Sequence, residues 1–287
     1  MGYRHIENLY KNQGILAFKE CFALEKLHGT STSIQWRDGK LQFSSGGAKA
    51  ERFRSLFDEA ALVKAFEALG HPTVVVYGEA YGGSQQKQTW RYGKDLKFAA
   101  FEVKIDDTWL SVENAHNVAT KLSLEFVHYE RIAATVEEID KQRDAPSVQA
   151  VRNGIEEPQP REGVVLRPLT EYRDHRGERV LSKHKRDEER ETNTPRQVVD
   201  PEKLKVLEEA QAIADEWVTP TRLEHVLDKI EGDIGMERTK EVIQAMTEDV
   251  LREGAGEIVD SKEARKAIGS TTAKLFKKYF QAKLQAQ

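Results

Sequence analysis

With 287 residues, 39% hydrophobic and 32% charged, the chain is long enough for a large core domain plus a smaller one and polar enough for a soluble globular protein. Its net charge of −4 excludes a global basic field, though a local basic groove stays open. The single cysteine, Cys21, excludes an intramolecular disulfide framework, argues for a reducing compartment, and sits in an apolar run that predicts a buried structural role.

The elements follow in chain order. Residues 16–24 read as a strand leading into Lys26. Strands 31–36 and 40–44 flank Arg37-Asp38-Gly39, a good hairpin turn. Helical periodicity runs over 56–69 and stops at Gly70, before Pro72. Residues 73–77 form a short β-branched strand, with further strands at 98–105 and 164–166 and shorter helices at 115–121 and 135–145. A polar stretch with Pro195 and Pro201 reads as a linker over 186–201. Beyond it the pattern is helical, at 201–217, 220–230, 236–253 and 261–283, with Thr219-Pro220 as a cap and first-turn proline. The fold class is therefore α+β with much antiparallel strand (residues 1–195), followed by a small all-helical domain (196–287). No segment has the apolar core of a secretory signal or the ~18 apolar residues of a membrane span. That predicts a cytoplasmic protein, host-cytoplasmic if viral, with no membrane partner.

Five stations carry the chemistry, in fixed order: Glu25-Lys26-Leu27-His28-Gly29-Thr30, Gly78-Glu79-Ala80-Tyr81-Gly82-Gly83, Phe98-Ala99-Ala100-Phe101-Glu102-Val103, Glu162-Gly163-Val164-Val165-Leu166-Arg167-Pro168, and Leu181-Ser182-Lys183-His184-Lys185. Each alone has a bland reading: a solvent lysine, a turn glutamate, a core aromatic. Together they describe a lysine nucleophile facing a nucleoside triphosphate. A lysine attacks phosphorus only as the free amine, which an ordinary pKa near ~10.4 leaves scarce at pH 7, so the site must supply positive neighbours, desolvation or a metal. Lys183 and Lys185, two apart in a strand, point to one side and into one phosphate pocket. Glu79 can accept from ribose hydroxyls, Phe101 can stack on a purine, and Glu162 can hold Mg²⁺ or Mn²⁺.

The ordered set resembles the covalent nucleotidyltransferases, and within them the phage RNA ligase 2 family with its relatives, the trypanosome RNA-editing ligases. His28 where DNA ligases usually carry Asp, Gln86-Lys87 and Tyr92-Gly93 after the second station, and Trp217-Val218-Thr219-Pro220-Thr221-Arg222-Leu223 in the tail carry that resemblance. It implies an ATP-grasp-like ligase domain of antiparallel sheets and, after it, a helical domain for RNA binding or end joining. It also implies ATP as cofactor, with AMP becoming covalently attached to Lys26. His28, Lys183 and Lys185 would be the other catalytic residues. Glu25, Leu27, Glu79, Phe101 and Glu162 would contact the nucleotide, with Glu162 serving the metal.

The implied activity is an RNA ligase that seals 5′-phosphate and 3′-hydroxyl ends. Its partners would be RNA ends in a nicked duplex or RNA–DNA hybrid, met by a monomer. The alternatives are a DNA ligase, a capping-type enzyme, or a silent nucleic-acid-binding module of the same fold. The chain departs from the family at Ser31, where an asparagine is usual, and at Gly46-Gly47, where a basic residue is usual. Lys49, Arg52 or Arg54 could supply that charge. Arg52, Arg54, Arg167, Arg222 and Lys229 are the candidate RNA contacts, joined by Arg238 and Lys240 in the tail.

Overall fold

The computed structural model describes residues 3–46, 50–194, 197–198 and 208–285. It divides into two compact units, Met1–Arg186 and Asp187–Gln287.

The first unit is built on two antiparallel sheets. One has the order β7-β1-β8-β9, made from Tyr129–Ala133 (β7), Glu20–Lys26 (β1), Gly163–Pro168 (β8) and Ser182–Lys185 (β9). The other has the order β3-β2-β4-β5-β6, made from Lys40–Ser45 (β3), Thr30–Arg37 (β2), Thr73–Gly82 (β4), Leu96–Ile105 (β5) and Thr108–Trp109 (β6). β2 and β3 meet in a two-residue turn at Asp38 and Gly39, both with positive φ, the conformation a tight hairpin of this twist requires. Helices α1 (Ala50–Arg54) and α2 (Glu59–Leu69) cover one face of the second sheet. There Trp36 stacks on Phe66 at 5.8 Å, and Phe53 packs on Phe43, Phe57 and Phe98. Asp58 caps α2 and Gly70, in the left-handed conformation, ends it.

Four more helices complete the unit: α3 (Thr89–Tyr92), α4 (Val112–Lys121), α5 (Val136–Asp144) and α6 (Val148–Arg152). Ser111, Thr135 and Ser147 cap the last three through their hydroxyl oxygens. Alternation gives the first sheet two different faces. Leu24, Lys26, Val165, Lys183 and Lys185 share one by register, while Glu25, Val164 and His184 share the other.

Several boundaries differ from the sequence reading. Residues 14–17 form a 3₁₀ turn, so the first strand begins at Glu20 and runs through Lys26. β4 continues past Tyr77 to Gly82, which places Glu79 within a strand, not at its end. All four residues of β9 are buried.

The second unit contains α7 (Ala210–Trp217), α8 (Pro220–Lys229), α9 (Thr239–Glu253) and α10 (Lys262–Gln285). Thr219 caps α8 with Pro220 in the first turn, and Ser261 accepts the Ala264 amide at the start of α10. Trp217, Leu223, Val226, Met246, Val250, Ile268 and Phe276 make its core. Residues 187–194 belong with this unit; Asn193, for one, donates its amide to the Glu216 carbonyl. The expected linker and the start of the expected helix at 201 fall partly outside the described residues. No helix among the described residues is long and apolar enough to cross a membrane.

Candidate active site

Sheet register creates the centre of the site. Lys26 ends β1 and pairs with Gly163, and Lys185 ends β9 and pairs with the same Gly163 from the other side. Glu162, one residue ahead, therefore stands between two ammonium groups. Lys26 Nζ donates to Glu162 Oε2 at 2.8 Å, and Lys185 Nζ lies 3.0 Å from Oε1. Burial alone would raise the Glu162 carboxyl, but Lys26, Lys185 and His28 overcome it and hold the group far below the usual carboxylate range. Lys26 is the more accessible lysine, its side chain 23% exposed against 8% for Lys185. Lys183, two residues before Lys185, shares this face and is buried; its own backbone is clamped by Glu7 O and Leu9 N.

Glu79 reaches the same centre from the other sheet, where it pairs with Ser31 and Ala99. Its Oε1 accepts the Gly29 amide at 3.1 Å. That approach requires a glycine: a Cβ on residue 29 would stand 2.3 Å from the Ala80 carbonyl oxygen. Burial raises the Glu79 carboxyl to about 7, with Lys26 opposing the rise and the Glu162 charge adding to it. Two carboxylates near one another, one firmly ionised and one titrating near neutrality, are thus separated by environment alone.

The nucleophile loop is held from behind. Leu27 and His28 are buried, and the His28 amide donates to the Tyr92 hydroxyl at 3.2 Å. Thr30 Oγ1 donates to Gln85 Oε1 at 3.1 Å. Tyr92 formed part of the family resemblance but had been given no role, because its contact lies 64 residues away in sequence.

Phe101 occupies a β-bulge. Gly78 pairs with Ala100 and Tyr77 with Glu102, so Phe101 is the extra residue and is re-aimed out of the regular alternation. Its ring is half-buried and meets Tyr3 edge-on at 5.0 Å.

Other candidates stand elsewhere. Glu25 points to the opposite face of β1, where its carboxylate accepts from the Ser147 hydroxyl and the amides of Val148 (3.0 Å) and Gln149 (3.3 Å), at the start of α6. Arg167 is buried, ion-paired with Glu102 at 3.1 Å and with Glu171, and donates to the Leu110 carbonyl. In the second unit Arg222 is buried against Asp249 (2.6 Å) and the Trp217 carbonyl (3.0 Å). The structure therefore brings neither Arg167 nor Arg222 to a surface.

Lys229 is about half exposed and pairs with Asp249 at 3.2 Å, and Arg238 pairs with Glu241 at 2.8 Å. Lys240 is exposed. Arg52 and Arg54 are exposed on α1; Arg54 is held by Glu59, and Arg52 lies 3.4 Å from the Ser84 hydroxyl. Lys49 lies outside the described residues. Cys21 is buried in β1, which pushes its thiol up to about 11 and makes it a packing residue.

The RNA ligase family profile matches residues 19–185, which include every station of the site and more than half of the chain. The chain belongs to the RNA ligase family. Among solved structures, it is similar to a Naegleria gruberi RNA ligase variant with ATP and Mn at 15% identity and a TM-score of 0.52. Another state of that protein, with PPi, matches at 16% identity and a TM-score of 0.51. Each match covers 66% of this chain but only 56% of the Naegleria chain, and at these identities the likeness is one of fold. No curated protein matches the sequence.

Proposed function

We propose that the chain is an ATP-dependent RNA ligase that joins a 5′-phosphate to a 3′-hydroxyl through a lysyl-AMP and an AMP-capped end. One observation carries the reading: β1, β4 and β9, with the residue just ahead of β8, converge Lys26, Glu79, Lys185 and Glu162 on one centre. The Naegleria structures with ATP or AMP and Mn support ATP as the nucleotide and a divalent cation as its companion.

In the first step Lys26 gives up its ammonium proton to solvent and, as the free amine, attacks the α-phosphorus of ATP through Nζ. The bond to the β-phosphate oxygen breaks, pyrophosphate leaves, and the amine sheds a second proton as the phosphoramide forms. Loss of the ammonium charge ends the Lys26–Glu162 ion pair, so Glu162 keeps Lys185 and frees one oxygen. In the second step an oxygen of the RNA 5′-phosphate attacks the AMP phosphorus, the P–N bond breaks, and Lys26 takes up two protons and regains its partner. In the third the 3′-hydroxyl attacks the activated 5′-phosphorus and AMP leaves. Glu162 thus holds the nucleophile in place between turnovers, and Lys183 and Lys185 neutralise phosphate charge during them.

In this reading Glu79 takes the ribose hydroxyls and Phe101 stacks on the base. Glu162 and Glu79 fit a hard divalent cation of the kind that takes one or two protein carboxylates and otherwise water and substrate phosphates. The described residues hold no cluster of three or more His, Cys, Asp or Glu that would cage a metal without substrate. When bound, the cation would offset phosphate charge.

The RNA ligase 2 branch is favoured over DNA ligases and capping enzymes because the elements described after Lys185 are helical. A monomer acting on nicked duplex RNA or an RNA–DNA hybrid in the cytoplasm completes the proposal. The test is to chase isolated, AMP-labelled protein with a nicked duplex bearing 5′-phosphate and 3′-hydroxyl RNA ends. Transfer of label to the 5′ end followed by sealing supports the reading. Label that stays on the protein with every RNA and DNA end offered would sink it.

A further inference from the structure

The charge of the second unit is concentrated on one helix. α10 carries seven Lys and Arg residues against one acid, Glu263, a net of +6 in 24 residues. The whole chain is −4, so the remainder carries −10 (−4 less +6). Segregation of that size needs a reason, since dispersed lysines would serve solubility equally well.

The placement of the lysines is as informative as their number. Ala264, Ile268, Thr272 and Phe276 form the buried stripe of α10. Lys262, Lys266, Lys274, Lys277 and Lys278 are all exposed. At ~100° per residue these five fall within about 160° of arc, centred about opposite that stripe. Among the described residues none of the five makes an ion pair or hydrogen bond. Of the cations that the sequence suggests for RNA contact in this unit, Arg222 and Lys229 are engaged by Asp249 and Arg238 by Glu241, while Lys240 is exposed.

We infer that the solvent face of α10 binds the phosphate backbone of the RNA duplex. The inference rests on the polynucleotide-joining reading above and names the surface that holds the polynucleotide. From Lys262 to Lys278 the helix rises about 24 Å. A duplex offers one phosphate per ~1.7 Å of its axis, so several lysines can engage at once. The face is made of flexible point charges, with no guanidinium fork among the five, which suits backbone contact without sequence preference. A membrane surface fits poorly, because the apolar stripe that would enter lipid is already spent in the core of the unit.

The experiment uses the full chain with Lys266→Gln, Lys274→Gln and Lys277→Gln combined. Fluorescence anisotropy with a labelled nicked RNA duplex gives affinity as a function of salt, and labelling by α-labelled ATP serves as the independent activity. The inference predicts an unchanged melting temperature and unchanged labelling. It also predicts affinity about tenfold or more weaker near 0.1 M salt, and a log–log salt slope shallower by about 3. The corresponding triple Lys→Arg variant should retain the wild-type slope. A control triple at Lys40, Lys64 and Lys121, exposed lysines of the first unit, should bind nearly as wild type.

An unchanged slope in the α10 variant overturns the inference, as does an equal loss in the control. Loss of binding to anionic lipid vesicles with RNA affinity intact overturns it too. If the wild type labels with ATP and binds RNA while the α10 variant matches it, only the α10 surface falls. If the wild type does neither, the ligase reading falls with it.

Discussion

Replacing Glu79 by Gln removes a carboxyl that folding holds near neutrality, while leaving an oxygen to accept the Gly29 amide. The native group titrates at about 7 against 4.5 in its ordinary state, chiefly because burial penalises its charge. At full strength that gap is worth about 3.4 kcal/mol; Glu79 is only half-buried, so we expect about 1–2 kcal/mol after solvent screening. The sign follows from linkage. The folded protein binds this proton more tightly than the unfolded chain, so the associated stability is complete below about pH 4.5 and is lost as pH rises through about 7. Urea unfolding of wild type and Glu79→Gln at pH 4.5 and pH 8 separates the two regimes. The variant should nearly match the wild type at pH 4.5 and exceed its stability by about 1–2 kcal/mol at pH 8. A variant equal to or less stable than wild type at pH 8 would refute the claim that burial dominates at Glu79.

Three further outcomes follow from the same contacts. Glu162→Ala strips the carboxylate from between Lys26 and Lys185 and should cost about 3 kcal/mol at pH 7, together with most labelling by ATP. Because Glu162 is held at a depressed pKa, that difference should shrink as pH falls toward the native pKa, and a constant deficit in urea melts down to acid pH would contradict it. Tyr92→Phe leaves the buried His28 amide without its acceptor and should cost about 1–2 kcal/mol in chemical denaturation, with slower labelling; an unaltered labelling rate would show the loop needs no such support. Arg222→Ala takes from Asp249 its fully buried partner, leaving only the half-exposed Lys229 and Arg252, and should destabilise the protein by about 3 kcal/mol by thermal melting. An effect confined to RNA affinity would instead make Arg222 a surface contact.

Much of this could be read from the sequence because it is local. The hairpin at Asp38-Gly39, the caps Thr219 and Ser261 and the stop at Gly70 are each decided by a few neighbouring residues. The lysine pair of β9 could be read from strand alternation, and its common face with Lys26 is a matter of register.

What escaped was long-range. β7 carries Glu130 and Arg131 and has one buried residue in five, so it lacks an apolar alternation; its pairing with β1 makes it a strand. β4 runs through Gly78 and Gly82, on either side of Glu79, because β5 pairs with both glycines and β2 with Gly78. Arg167 and Arg222 resembled surface cations until Glu102 and Asp249, distant in sequence, closed on them. Glu25 is spent on the start of α6, over 120 residues downstream.

The central claim is that Lys26 becomes covalently adenylylated, and its most direct measurement is denaturing electrophoresis after incubation with α-labelled ATP and Mg²⁺. Wild type and Lys26→Ala would be compared, each first freed of bound AMP with pyrophosphate. The account predicts an acid-labile label on the wild type, none from GTP, and none on the variant. Label on Lys26→Ala, or none on the wild type, would contradict it.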